Sequence, residues 1–276
     1  MPDFASPPPA CKVAELGFPA PHVMLVTINR QRAMNSITMD GHWEGRAIWD
    51  WYDDEPSLRV AVLTGRGDKA FSAGADLLEV RTIRADGDGS QIRPMPPSGF
   101  FGVSRRTGKK PIIAAVNGYA FGGGFEIVLN CDLVVASPSA TFSLPESTRG
   151  LYAAAGGLPR LVRSFGMHTA SEIAMTGRIL SAQEMERHGL ARVAKSPDTL
   201  IDEAFELASS IVAQSPDAII VTRAGLRQAW ETGSVERAFQ LVDERYGKGL
   251  FEGDNLKIGL SAFAEKKKPE WVPSKL

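Results

Sequence analysis

"YAFGGGFEIVLNCDL" occupies residues 119–133 and sets three glycines in a row ahead of a glutamate and an apolar run. Each glycine costs about 0.5–1 kcal/mol against alanine inside a regular element. Three together mean that the main chain itself is needed at Gly122, Gly123 and Gly124. The run before them, "KPIIAAVNGYA" (110–120), reads as a buried strand, so the glycines stand where a strand gives way to a helix. Main-chain N–H groups at such a junction lack partners inside the helix, whose dipole is positive there. Donors of this kind can stabilise an oxyanion, provided that the surrounding side chains are small.

Two further segments share this texture: "FSAGADLLEV" (71–80) and "SLPESTRGLYAAAGG" (143–157). Around them, "HVMLVTIN" (22–29) and "LRVAVLTG" (58–65) read as buried strands. "TMDGHWEGRAIWDWYDDE" (38–55) reads as a helix capped by Thr38, despite Gly41 and Gly45. "DLVVASPSATFSL" (132–144) gives two short strands about a Ser-Pro-Ser turn, and residues 84–99 read as a flexible loop beside the site. Beyond Gly156 the pattern turns helical. "SAQE" (181–184) is a capping box, and Ser196-Pro197 and Ser215-Pro216 each pair a cap with a first-turn proline. Helices are predicted over 197–213, 216–231, 234–248 and 253–267. The division is a loose N-terminal arm (1–20), an α/β core (21–195), a helical C-terminal region (196–271) and a tail (272–276).

Composition narrows the chemistry. A net charge of −1 over 276 residues offers no basic field for nucleic acid or anionic lipid, and no apolar run reaches the length of a membrane span. Cys11 and Cys131 form no CxxC pair, and His22, His42, His168 and His188 are scattered, so no metal site is expected. Three known loop motifs are also absent. There is no GxxxxGK[ST] phosphate loop, no GxGxxG spacing and no GxSxG elbow.

"INRQRAMNSI", "LTGRGDKAFSAGADL", "AAVNGYAFGGGFE", "CDLVVAS", "FSLPESTRGL" and "AFAEKKKPEW" follow one another in this order. Together they make the chain resemble the crotonase, or enoyl-CoA hydratase/isomerase, superfamily, from about Val23 to Trp271, and most of all its enoyl-CoA hydratases. The resemblance implies an α/β fold in which ββα turns stack as a spiral, with C-terminal helices that drive trimer or hexamer assembly. It implies an acyl-CoA thioester as substrate and no separate cofactor. The N–H groups of Ala73 and Gly123 would form the oxyanion hole. Ala73, Gly74, Ala75, Asp76 and Leu77 would border adenine and pantetheine, and Arg32, Ala33 and Met34 the nucleotide end. Phe263 and Lys266 would reach the CoA bound to a neighbouring subunit. One departure is Ile258-Gly259, where a Glu-Gly pair is usual.

Within that superfamily the acid and base groups decide the reaction, not the fold. Glu126 follows the glycine turn and Glu146 lies in "LPES", and both match the glutamate pair of the hydratases. Adding water across C2=C3 needs one group to deprotonate the water and one to protonate C2. The resemblance assigns Glu126 to the water and Glu146 to C2. Carboxylates in a partly apolar pocket have raised pKa values, which suits a proton donor near neutrality. The competing readings are a Δ3,Δ2-enoyl-CoA isomerase needing one carboxylate, another reaction of the same hole such as dehydration or thioester hydrolysis, and a non-catalytic CoA-binding protein. "WVPSKL" ends in Ser274-Lys275-Leu276, a tripeptide read by the peroxisomal import receptor, so a peroxisomal address is expected.

Overall fold

Pairing starts earlier in the chain than its prolines suggest. The computed structural model describes residues 4–85 and 93–276. Strand β1 (Ala14–Ala20) runs antiparallel to β2 (Val23–Ile28), with Ala14 opposite Ile28. Upstream of it, the Phe4 ring lies 4.6 Å from Phe18 and 5.3 Å from Trp51, and the Trp51 indole donates to the Ser6 carbonyl at 3.0 Å. The expected loose arm over 1–20 is therefore corrected from Phe4 onward. Burying an aromatic ring between two others outweighs the irregularity that the prolines impose.

Helix α1 (Met39–Asp54) starts at the Thr38 cap, whose hydroxyl accepts from the Gly41 N–H at 3.1 Å. Its Gly45 has a steric reason. A Cβ there would lie 2.5 Å from the Phe101 carbonyl oxygen, because a 3-10 turn at Phe100–Gly102 crosses the helix at that point. The chain then winds. Strands β3 (Val60–Gly65) and β4 (Ala70–Ser72) lead to α2 (Leu77–Ala85), and β5 (Ile112–Val116) and β6 (Tyr119–Phe121) lead to α3 (Gly123–Val128). Next come β7 (Leu133–Ala136) and β8 (Thr141–Ser143), followed by a 3-10 turn at Pro145–Arg149. The first strand of each pair joins one sheet and the second joins another, all in parallel register with the previous turn. That repetition is the spiral of ββα turns.

The stretch 110–120, expected as one strand, is two. At the break a Cβ on Gly118 would lie 2.2 Å from the Lys69 carbonyl, and the Asn117 amide donates to Gly67 and Ala70. Of the predicted loop 84–99, residues 86–92 lie outside the described residues, and residues 84 and 85 end α2.

After the spiral, α4 (Gly157–Phe165) and α5 (Met167–Thr176) precede β9 (Leu180–Ser181), α6 (Ala182–Arg187) and β10 (Arg192–Val193). The two sheets have the orders β1-β2-β3-β5-β7-β10 and β4-β6-β8-β9. The capping box at Ser181 and Glu184 is formed in both directions. Helix α7 (Leu200–Val212) begins later than predicted, because Ser196 spends its hydroxyl on a turn to the Thr199 N–H. It covers the first sheet, packing Leu200, Ala204 and Ala208 against Val60, Val62 and Ile113. Helix α8 (Pro216–Glu231) carries the Ser215 cap and the first-turn proline. A π turn at Asp243–Gly247 joins α9 (Val235–Val242) to α10 (Lys248–Glu252), and α11 (Asp254–Ala264) follows. The last residues fold back on this region. Ser274 donates to the Asp217 carboxylate, and the Leu276 carbonyl accepts from Lys109 Nζ at 3.0 Å.

Candidate active site

The turns after β4 and β6 meet at the mouth of one cavity. Gly74 has φ +91°, and a Cβ on it would lie 2.9 Å from the Phe121 carbonyl and 3.2 Å from the Gly123 nitrogen. Each residue of the glycine triplet has its own cause. Gly122 holds φ +55° at the N-cap of α3. Gly123 lies under the Phe100 ring, which a Cβ would meet at 2.4 Å, and Gly124 packs on the Ser72 carbonyl, which a Cβ would meet at 2.3 Å.

Hydrogen bonding corrects the expected pair of amides. The Ala73 N–H is already committed to the Met34 carbonyl at 3.0 Å, so it cannot face a ligand oxygen. Two residues on, Ala75 forms an isolated parallel bridge with Ile37. In that bridge Gly74 supplies the carbonyl and Asp76 the N–H, so the Ala75 amide points the other way. Ala75 and Gly123 make no N–H hydrogen bond among the described residues, and both line the cavity. Both are free donors at the two turns that meet there.

The glutamates stand in the same cavity, of about 520 Å³, but are held differently. Glu126 is 3% exposed on α3, and its Oε1 accepts from the Ala155 N–H at 2.9 Å and the Gly157 N–H at 2.8 Å. Oε2 has no protein partner among the described residues. Burial pushes the Glu126 pKa up to about 7; the Glu146 charge adds to the rise, and the two amides oppose it. Glu146, half-buried on the turn after β8, has its pKa raised by burial as well, and its Oε2 is buried without a partner among the described residues. Gly157 is small for a reason, since a Cβ would lie 2.6 Å from Glu126 Cγ. The "YAAAGG" run (152–157), already marked by its small residues in the sequence, forms this carboxylate clamp.

Of the other expected residues, Ala73, Gly74 and Leu77 line the cavity. Asp76 has a structural duty: it pairs with Arg30 at 2.8 Å and accepts from the Glu79 N–H at 3.2 Å. Burial would raise its pKa, yet the Arg30 contact and the amides hold it below the usual range. Arg32 and Ala33 lie in a 3-10 turn at Gln31–Ala33, with Met34 at its end in the left-handed region; the turn is tied to the rim through the Met34 carbonyl. Phe263, 87% exposed on α11, and Lys266 do not line the cavity of their own chain. His42, Phe100 and Tyr152 do, and sequence reasoning passed over them.

A carboxyl whose pKa is raised by folding costs stability once it ionises. Below the unfolded value of 4.5 both states are protonated. Between there and about 7 the folded chain binds more protons, so stability falls as pH rises. Glu126→Gln keeps an acceptor for the two amides and removes the charge. It should raise stability at pH 8 by on the order of 3 kcal/mol, at about 1.4 kcal/mol per pKa unit, and the gain should vanish near pH 4. Denaturant titrations at both pH values check this; an equal gain at both would refute the buried-charge account.

Two free main-chain amides lining one cavity with a pair of pKa-raised carboxyls equip an enzyme for acid–base chemistry beside a carbonyl. Residues 20–273 match the family model described as enoyl-CoA hydratase/isomerase, and the chain belongs to that family, within the crotonase superfamily. Among curated relatives it is 48% identical over 262 residues to the mevalonyl-coenzyme A hydratase of Aspergillus fumigatus, covering 95% of each chain. It is 37% identical over 257 residues to the carnitinyl-CoA dehydratase of Escherichia coli, covering 90% of this chain and 94% of that one. The crystal structure of enoyl-CoA hydratase from Mycobacterium tuberculosis superposes with a TM-score of 0.83 at 32% identity, covering 94% of this chain and 98% of that one. The chain is thus a crotonase-type enzyme of the CoA hydratase/dehydratase kind. Hydratases of this family act on CoA thioesters without a separate cofactor.

Proposed function

We propose that this enzyme adds and removes water across the C2–C3 bond of an acyl-CoA thioester, with a short, branched, hydroxylated acyl group of the mevalonyl kind as its substrate. The observation that carries the reaction is the placement of Glu126 and Glu146 in one cavity with the free Ala75 and Gly123 amides. In the hydration direction, the Oε2 of an ionised Glu126 takes a proton from water while the water oxygen bonds to C3. The C2=C3 electron pair moves toward the thioester, whose oxygen accepts from the two amides, and a protonated Glu146 delivers its proton to C2. Dehydration runs the same steps backward. Losing one such amide donor typically costs about 2.7–4 kcal/mol of barrier.

The acyl group is drawn from the relatives, two of which are mevalonyl-CoA hydratases at 48% and 45% identity over nearly the whole chain. Incubation with mevalonyl-CoA and with crotonyl-CoA, followed by mass spectrometry for loss or gain of one water, tests the proposal. Turnover of both, with mevalonyl-CoA the better, is expected; turnover of neither would overturn it.

Trimeric or hexameric assembly belongs to the same proposal. Val235, Phe239, Phe251, Leu260 and Phe263 are exposed on the C-terminal helices, and burial of these apolar faces between copies would bring Phe263 and Lys266 toward a neighbour's site. Peroxisomal delivery rests on the Ser274-Lys275-Leu276 motif. A reporter-tagged chain lacking these three residues should become cytosolic in cells without an intact copy to carry it. Continued peroxisomal signal there would exclude the tripeptide as the address.

A further inference from the structure

We propose that His42 selects acyl groups bearing an oxygen function beyond C3, donating its Nε2 hydrogen to that oxygen. The inference rests on the thioester chemistry proposed above and goes further, by assigning the recognition of the acyl tail to one side chain.

His42 lies in the first turns of α1 and is 6% exposed. Its Nδ1 accepts the Phe101 N–H at 3.2 Å, and its ring meets the Phe100 ring edge-on with centroids 4.4 Å apart. A nitrogen that accepts cannot carry the proton of a neutral imidazole, so the hydrogen resides on Nε2. Burial lowers the His42 pKa to about 4, which keeps the ring neutral near pH 7 and preserves this tautomer. Nε2 makes no hydrogen bond to protein among the described residues, yet the residue lines the cavity that holds both glutamates. Met39, Leu77, Val80, Met95 and Phe100 give the same cavity apolar lining, and Arg93, which also lines it, pairs with Asp40 at 3.6 Å. A buried, oriented donor among such apolar groups gives direction to whatever enters beside it.

Position relative to the amides supports the assignment. Phe100 rests on Gly123, so His42 stands one aromatic ring away from a free amide donor. A thioester oxygen held at Gly123 would place atoms a few bonds beyond C3 against this wall. The terminal hydroxyl of a mevalonyl group can reach Nε2 there, whereas a hydrocarbon tail would leave the donor unpaired. Sites that hydrogen-bond a substrate hydroxyl discriminate strongly against analogues without it, for this reason.

The test uses the full-length enzyme and two thioesters, mevalonyl-CoA and its analogue without the terminal hydroxyl. The readout is the ratio of their kcat/KM values. His42→Asn keeps an acceptor at the δ position for the Phe101 N–H but has no atom at the ε position; His42→Gln restores a donor there. The ratio should fall about tenfold in His42→Asn, a single neutral hydrogen bond's worth, and recover in part in His42→Gln. A purely structural His42 would lower both rates together and reduce the melting temperature, leaving the ratio as in the wild type. That result, or an unchanged ratio in a fully active His42→Asn, would overturn the assignment. If the wild type turns over neither thioester, the reaction itself is misassigned and the inference falls with it. An active enzyme with an unmoved ratio removes only the inference.

Discussion

Glu126→Gln and Glu146→Gln should each lower kcat for hydration by about 10²–10⁴-fold, the usual contribution of a positioned general acid or base. Binding of the thioester should change little, because the Ala75 and Gly123 amides and the cavity wall survive both changes. Glu126→Gln also keeps its contacts to Ala155 and Gly157, so its loss reports proton transfer and not misfolding. The double change should cost less than the product of the single ones, since both residues act in one step. An isomerase relying on Glu146 alone would retain most of its activity in Glu126→Gln. Steady-state kinetics on a conjugated enoyl-CoA separates these outcomes, and near-wild-type hydration in Glu126→Gln would remove the two-carboxylate mechanism.

The largest effect on stability is expected away from the site, at Asp132. Its carboxylate accepts the Ile112 N–H at 2.9 Å at the head of β5, and it meets both Arg223 and Arg227 of α8 at 3.0 Å. Arg223 is only 7% exposed in its side chain. Burial alone would raise the Asp132 pKa, but the two guanidiniums hold it below the usual carboxylate range. Asp132→Ala would leave the buried Arg223 cation without its carboxylate, and breaking a buried pair in this way typically costs about 3–5 kcal/mol. Urea titration should show that loss at pH 7. A carboxyl depressed by folding stabilises above its unfolded pKa and loses that contribution as pH falls through its folded value. The difference between wild type and Asp132→Ala should therefore shrink only in strong acid. A loss under about 1 kcal/mol at pH 7 would mean that α8 is held by packing alone.

Much of the site could be read along the chain because its signals are local. Three adjacent glycines, "SAGAD" and the two glutamates occupy short segments that stand out by composition alone, although the packing that requires each glycine shows only in the fold. The capping residues Thr38, Ser181 and Ser215 were legible for the same reason, since a cap and its amide lie three residues apart. The parallel spiral rested on six motifs in order, and the structure shows it as two sheets built by alternate strands.

What failed to be legible depended on partners distant in sequence. Ala73 and Ala75 look alike in "SAGAD", and only the Met34 carbonyl, arriving from another loop, removes one amide and leaves the other. The prolines near the N-terminus predicted a loose arm, while Phe18 and Trp51 supply the surface that orders Phe4. The break at Asn117-Gly118 follows from the approach of Lys69, which no local pattern announces.

The amino-acid sequence by itself thus determined which residues could do chemistry: small residues at strand ends, and two carboxyls beside apolar runs. Tertiary structure alone decided which amides stay free, which oxygen of Glu126 is taken by amides and which is left, and how far burial moves its pKa. These properties belong to pairs of groups brought together from distant parts of the chain. Burial and hydrogen bonding set them, and neither exists until the chain has folded.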